Sequence, residues 1–208
     1  MKTTGANSAS GRPQPAVLTD FDDTAAAQNV AELLLNRFGN PDWTVVRQRF
    51  RDGHIDLKEY QEITFRNIQA DRATMQSYVK EHANLRPYFR EMWGFCQAND
   101  IPMAVVSQGL DFYIQALLER EGLGRVPIYA VDTEFQDGEI FYHYNHAYPG
   151  KESKGNSKGF VVRSFQERGY HVFFAGDGRS DLEAARVADV IFAHSTLAKF
   201  CDEEGIAY

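Results

Sequence analysis

Cysteine is scarce in this chain: Cys96 and Cys201 are the only two, too few for a disulfide framework. Cys96 falls on the apolar face of a predicted helix, where a buried structural thiol is expected. No apolar run approaches the ~18 residues that a membrane span needs. The opening stretch MKTTGANSASGRPQP is small, polar and proline-containing, without the apolar segment of a secretory signal. Residues 1–14 are therefore expected to form a loose tail, and the protein to be cytoplasmic. Positive charge is short too. Lys plus Arg is 22 against 29 for Asp plus Glu, a net charge of −7 with no basic run. Such a chain lacks the phosphate-neutralising surface on which nucleic-acid binding depends. Neither nucleic acid nor membrane is expected as a partner, and a monomer or homodimer is anticipated. An anionic ligand would have to be drawn in locally, by a metal, single lysines or helix N-termini.

What the chain does have is apolar material. At 43% hydrophobic over 208 residues it can bury one sizeable core and a smaller second lobe. Three short apolar runs each end in a polar or acidic residue: Ala16 to Asp20, Ile101 to Ser107, and Tyr170 to Asp177. Unbroken runs of this length suit strands buried on both faces, as in a parallel sheet. Helical patterns lie between them. Leu85, Phe89, Met92, Trp93 and Cys96 share one face before the second run, and Phe160, Val161 and Phe165 do so before the third. The alternation predicts a doubly wound, Rossmann-like α/β fold. In such sheets ligands gather at the carboxyl ends of strands, where Asp20, Ser107 and Asp177 fall.

Residues 25–84 hold no convincing buried strand. Val30, Leu33, Leu34 and Phe38 share one helical face, Tyr60, Ile63 and Asn67 another, and Met75, Tyr78 and Val79 a third. The stretch is too long for a loop and reads as a helical cap inserted after the first strand, with residues 15–24 and 85–208 as the core domain. A smaller excursion, Val131 to Phe135 and Glu139 to Tyr144, flanks Gln136-Asp137-Gly138, a strong hairpin signal.

Four features carry chemistry. In Asp20-Phe21-Asp22-Asp23-Thr24, three carboxylates within four positions repel unless a cation lies among them. A hard divalent ion such as Mg²⁺ would suit them, although an acidic cap on a helix starting near Ala25 would account for them equally well. In Gly176-Asp177-Gly178-Arg179-Ser180-Asp181, the two acids are four apart across a strand-to-helix turn. Ser107 with Gln108 and Gly109 offers a hydroxyl and backbone amides of phosphate size. Lys158 opens a helix against the macrodipole, which a nearby phosphoryl group and carboxylate cluster would explain, although a solvated surface lysine would account for it equally well; Lys151 and Lys154 compete for that part.

The motifs DFDDT, VVSQG, the lysine of SKG, and GDGRSD, in that order, resemble those of the haloacid dehalogenase-like superfamily, specifically its phosphatases. The resemblance extends over about residues 16 to 207, and the helical insertion looks like the cap of the phosphoserine phosphatase-like branch. It implies an Mg²⁺-dependent phosphomonoesterase acting on a small phosphorylated metabolite. Asp20 would be the nucleophile and Asp22 the acid and base. Asp20, Asp177, Asp181 and the Asp22 carbonyl would hold the metal. Thr24, Ser107 and Lys158 would bind phosphoryl oxygens, with Gln108 and Gly109 beside them. Two positions depart from the pattern: Asp23 stands where glycine is frequent, and Asn29 where phosphoserine phosphatases commonly carry glutamate.

The run 105–118 and the segment FRDGHIDLKEYQEITFRNI look closest to a subgroup that includes the methionine-salvage phosphatase of 2-hydroxy-3-keto-5-methylthiopentenyl-1-phosphate. Specificity is expected to come from cap and hairpin, with Arg66, Tyr60, Phe112 and Tyr113 as candidates, although packing accounts for the aromatics as well. His143 and His146 read as hairpin surface rather than metal ligands. Competing readings are phosphoserine phosphatase or phosphotransferase activity, a carbon–halogen hydrolase, and a phosphate-responsive signalling domain.

Overall fold

The computed structural model describes residues 13–208 apart from Asn67. The tail expected over 1–14 thus lies largely outside the described residues, as does Asn67 on its expected helix, and Gln14 already belongs to a strand.

The elements run β1 (Gln14–Thr19), α1 (Val30–Phe38), α2 (Trp43–Arg51), α3 (Leu57–Arg66), α4 (Arg72–His82), α5 (Phe89–Ala98), β2 (Met103–Leu110) and α6 (Asp111–Arg120). After these come β3 (Ile128–Gln136), β4 (Glu139–His143), α7 (Lys158–Glu167), β5 (Tyr170–Gly176), α8 (Leu182–Ala185), β6 (Val190–Ala193) and α9 (Ser195–Glu204). The six strands form one sheet in the order β4-β3-β2-β1-β5-β6. Every pairing is parallel except β3 with β4, which closes one edge as an antiparallel hairpin. Asp137 and Gly138 turn that hairpin with φ of 52° and 84°, the left-handed pair its tight turn requires.

Side chains alternate across the sheet into two cores. Ala16, Leu18, Ala104 and Val106 pack with Val161, Val162 and Phe165 of α7 on one face. Met103 and Val105 pack with Phe112, Tyr113 and Leu117 of α6 on the other. This is the doubly wound arrangement that the apolar runs imply. The segment between β1 and β2 is helical, and it is sewn into the second face: Val30, Leu34 and Leu35 of α1 and Met75 and Val79 of α4 join the same core as α6. Cys96 and Cys201 are free and buried.

Several boundaries differ from expectation. No helix starts near Ala25. Residues Phe21–Ala25 form one wide turn in which Asp22 is extended and Asp23 is left-handed, φ 59°. The first helix starts at Val30, capped by the Asn29 side chain, which accepts from Glu32 N at 2.8 Å. Leu85 precedes α5 and pairs with Ala26 in an isolated bridge. Ser107 does not end its strand. The pairing of β2 with β3 shifts register between Val106 and Leu110, so Ser107, Gln108 and Gly109 lie in an irregular stretch before α6 begins. Strand β6, four residues long, adds an edge that the apolar pattern does not predict.

Candidate active site

β1 lies between β2 and β5, where chain direction around the sheet reverses, and Asp20 is the residue just beyond its carboxyl end. Its amide donates to Ala175 O at 2.9 Å, continuing the ladder by one residue and aiming the side chain out of the strand end. β5 ends one residue before Asp177. The chain then turns tightly, and Asp181 comes back beneath it. Asp181 Oδ2 accepts from the amides of Asp177 at 3.1 Å and Gly178 at 3.0 Å. Gly176 permits this return, because a Cβ there would lie 2.5 Å from Asp181 Cγ. Asp20, Asp177 and Asp181 present carboxylate oxygens all within 4.8 Å of one another.

One cation answers them. Lys158 lies in the first turn of α7, whose cap Ser157 accepts from Phe160 N at 3.0 Å. Its Nζ lies 2.6 Å from Asp20 Oδ1 and donates to Asp181 Oδ1 at 2.6 Å and to Ser180 Oγ at 3.3 Å. The lysine is 2% exposed and Asp181 is fully enclosed, so both charges are stripped of water and depend on each other. Lys151 and Lys154, the competing lysines, are exposed. Burial first, then the charge of Asp181, holds the Asp20 carboxyl well above its ordinary range, against the pull of Lys158. Burial likewise raises Asp177. Lys158 is raised because Asp181 and Asp20 outweigh the cost of burying it.

Asp22 sits to one side of this group. Its Oδ1 accepts from Val30 N, at the start of α1, at 2.6 Å, and its Oδ2 accepts from the Tyr113 hydroxyl at 2.9 Å. Burial pushes its carboxyl up to about 6, against the pull of those two hydrogen bonds and of the Ala31 amide. The carboxyl therefore holds a proton to an unusually high pH while staying fixed in place.

Thr24 Oγ1 donates to Asp177 Oδ1 at 3.2 Å. Ser107 is buried, and its Oγ accepts from Gly109 N at 2.9 Å. Gln108 Nε2 donates to Asn156 O at 3.1 Å, which ties the strand end to the loop that leads into Lys158. Gln61 Nε2, from α3, donates to Gln108 O at 2.5 Å, so α3 docks directly over this stretch. Arg66 closes α3 as an exposed side chain near the Tyr142 hydroxyl and is not among the described residues that touch the carboxylates. Tyr60 stacks on Phe50 at 5.3 Å, and Phe112 is wholly buried. His143 is exposed beside Glu134, and His146 packs on Tyr129. Gln61, Asn156 and Ser180 contribute contacts that the sequence did not assign. Tyr113, a candidate for specificity or packing, is buried, and its hydroxyl meets Asp22.

Acidic side chains thus gather at adjacent parallel strand ends of an α/β sheet, around one buried lysine. The family model for haloacid dehalogenase-like hydrolases matches residues 17–186. The chain belongs to that family, and it is an enzyme of the phosphatase class within it. Among similar proteins, a 2-hydroxy-3-keto-5-methylthiopentenyl-1-phosphate phosphatase of Exiguobacterium sibiricum is 28% identical over 198 residues, covering 92% of this chain and 89% of its own. A bifunctional enzyme MtnB/MtnX of Bacillus licheniformis is 27% identical over 200 residues; the match takes in 94% of this chain but only 46% of that longer protein. The crystal structure of phosphoserine phosphatase from T. onnurineus superposes with a TM-score of 0.66 at 16% identity, over 92% of this chain and 94% of that one. Among the described residues no helix is long and apolar enough to cross a membrane.

Proposed function

We propose that the protein is an Mg²⁺-dependent phosphomonoesterase that hydrolyses a small phosphorylated metabolite through an aspartyl-phosphate on Asp20. The observation that carries the reading is the Lys158 ammonium seated between Asp20 and Asp181 with Asp177 alongside. Three carboxylates with oxygens inside 4.8 Å form an all-oxygen donor set, and a small hard cation such as Mg²⁺ fits that chemistry. Asp20, Asp177 and the Asp22 carbonyl would hold it, with Asp181 in support. When bound, the cation neutralises phosphoryl charge so that a carboxylate can approach an anionic phosphate.

The chain's own groups do the rest. Asp20 Oδ attacks phosphorus, and the bond from phosphorus to the ester oxygen breaks with its electron pair going to that oxygen. Asp22 delivers the proton the leaving oxygen needs. A water then gives a proton back to Asp22 and attacks phosphorus, and the bond to Asp20 breaks, releasing inorganic phosphate. Thr24, Ser107 and Lys158, with the backbone at Gln108 and Gly109, hold the phosphoryl oxygens while charge develops.

Residues 25–84 act as a cap over the core formed by 15–24 and 85–208, and α3 with the β3–β4 hairpin selects the substrate. Arg66, at the end of α3, would meet a second polar group. Asn29 is committed to capping α1, and it offers no carboxylate to a substrate ammonium. That favours a non-amino substrate over phosphoserine, and the 2-hydroxy-3-keto-5-methylthiopentenyl-1-phosphate of the relatives is the first to try. The test is p-nitrophenyl phosphate hydrolysis with Mg²⁺ or EDTA, beside Asp20→Asn, followed by a panel of phosphorylated metabolites. Metal-dependent turnover that disappears in the variant is expected; turnover that persists in Asp20→Asn would remove Asp20 as nucleophile.

A further inference from the structure

Tyr113 is placed for more than packing. Its ring is fully enclosed, held edge-on by Phe112 with centroids 5.5 Å apart and flanked by Phe21 at 6.2 Å. Its hydroxyl reaches out of that apolar wall to Asp22 Oδ2 at 2.9 Å. Gly109 makes the approach possible: a Cβ at that position would lie 1.9 Å from the Tyr113 oxygen and 3.1 Å from Asp22 Oδ2. The backbone is thus kept bare where hydroxyl and carboxyl meet. The other carboxyl oxygen is tied to Val30 N at 2.6 Å. Oδ1 and Oδ2 of Asp22 thus each accept from a fixed donor, and the Ala31 amide adds to the hold at the start of α1.

We infer that Tyr113 is the positioning residue of Asp22: its hydroxyl and the Val30 amide together set the plane in which Asp22 passes its proton to the leaving oxygen. The inference rests on the reading of Asp22 as the acid. Without the hydroxyl, Asp22 keeps only the backbone amides of Val30 and Ala31 and gains freedom about its last torsion, and small misplacements of an acid cost heavily in proton transfer. A buried tyrosine hydroxyl needs a partner in any case, so the experiment must separate positioning from packing.

Leaving-group dependence does so. A p-nitrophenolate leaves without a proton, whereas the alkoxide of glycerol 2-phosphate needs one. The quantity read is kcat/KM for p-nitrophenyl phosphate divided by that for glycerol 2-phosphate. Being a ratio within one preparation, it does not depend on the fraction of folded enzyme. Tyr113→Phe is expected to raise this ratio roughly tenfold or more, and Asp22→Asn to raise it by about a hundredfold or more. If Asp22→Asn raises the ratio and Tyr113→Phe does not, Tyr113 is only a packing residue and the inference is overturned. If Asp22→Asn leaves the ratio unchanged, Asp22 is not the acid, and the underlying reading fails first. Should Tyr113→Phe fail to accumulate, Tyr113→Met fills the same apolar pocket without a hydroxyl, and the same rise or its absence decides.

Discussion

Lys158 Nζ lies 2.6 Å from Asp20 Oδ1, inside a site from which both side chains have been almost wholly withdrawn from water. The same ammonium donates to Asp181. One buried cation therefore offsets two buried anions, and its loss leaves a charge imbalance that solvent cannot reach.

Lys158→Met is accordingly expected to damage stability and catalysis separately. Breaking a buried pair by removing one partner costs about 3–5 kcal/mol, so urea unfolding in EDTA should show a loss of that order. Added Mg²⁺ should recover part of it by supplying positive charge to the same carboxylates. Turnover of p-nitrophenyl phosphate should stay down by about 10²-fold or more even with saturating Mg²⁺, because a transition-state contact is missing. Lys151→Met, at an exposed position, serves as the control. Equal losses in the two variants would show that Lys158 carries no such charge balance.

Asp20, Asp177 and Lys158 could be picked out in advance because each ends or begins an element with a polar group where apolar periodicity stops. A parallel sheet then brings strand ends together whatever the loops do. The details that escaped depend on contacts far apart in sequence or on single dihedrals. Ser107 looked like a strand end because Gln108 and Gly109 are poor strand formers, yet the register shift lets β2 continue to Leu110. The start of α1 was placed too early because Asp22 and Asp23 resemble capping acids; the Asp22 carboxylate does cap it, but from eight residues away at Val30. β6 is four residues long, and Phe192 points to solvent, so its apolar signal was too short to read. The Tyr113 hydroxyl meets Asp22 across 91 residues, and no periodicity reports that.

Asp23 is left-handed, φ 59°, a region where Asp is tolerated, glycine is free and β-branched residues are strained. Its carbonyl, not its side chain, accepts from Arg86 Nη2 at 2.6 Å. Asp23→Gly should therefore change unfolding free energy by less than about 1 kcal/mol, while Asp23→Val should cost about 1–2 kcal/mol. Chemical denaturation of the two variants checks this. A valine variant as stable as the glycine one would mean that the turn relaxes out of the left-handed region.

Gly176 and Asp181 form a second close approach with a stated consequence. An alanine methyl at 176 would fall 2.5 Å from Asp181 Cγ and 2.8 Å from its Cβ, against a fully buried side chain that cannot step aside. Gly176→Ala is expected to destabilise by about 1–3 kcal/mol. It should also weaken Mg²⁺ binding by roughly tenfold, since Asp181 would be pushed off the amides that orient it. A thermal-shift titration with Mg²⁺ reads both effects, as the metal-free midpoint and as the concentration that raises it. An unchanged titration with a lowered midpoint would confine Gly176 to a packing role.

Asp22 makes the stability of the metal-free protein depend on pH in a direction that can be worked out. Its ordinary carboxyl value is 3.8, and burial raises it to about 6 in the folded chain. Between these values the unfolded chain has released the proton that the folded chain still holds. The unfolded state thus binds fewer protons there, and stability falls as pH rises. The contribution is fully present below the unfolded value, is lost progressively up to about pH 6, and is constant above that. A shift of roughly two units corresponds to about 3 kcal/mol. Asp22→Asn removes the titration while leaving the other buried acids in place. Unfolding curves in EDTA across about pH 4 to 7 should therefore show wild type losing roughly 2 to 2.5 kcal/mol more than the variant. A constant difference between the two proteins across that range would mean that Asp22 keeps an ordinary carboxyl in the fold.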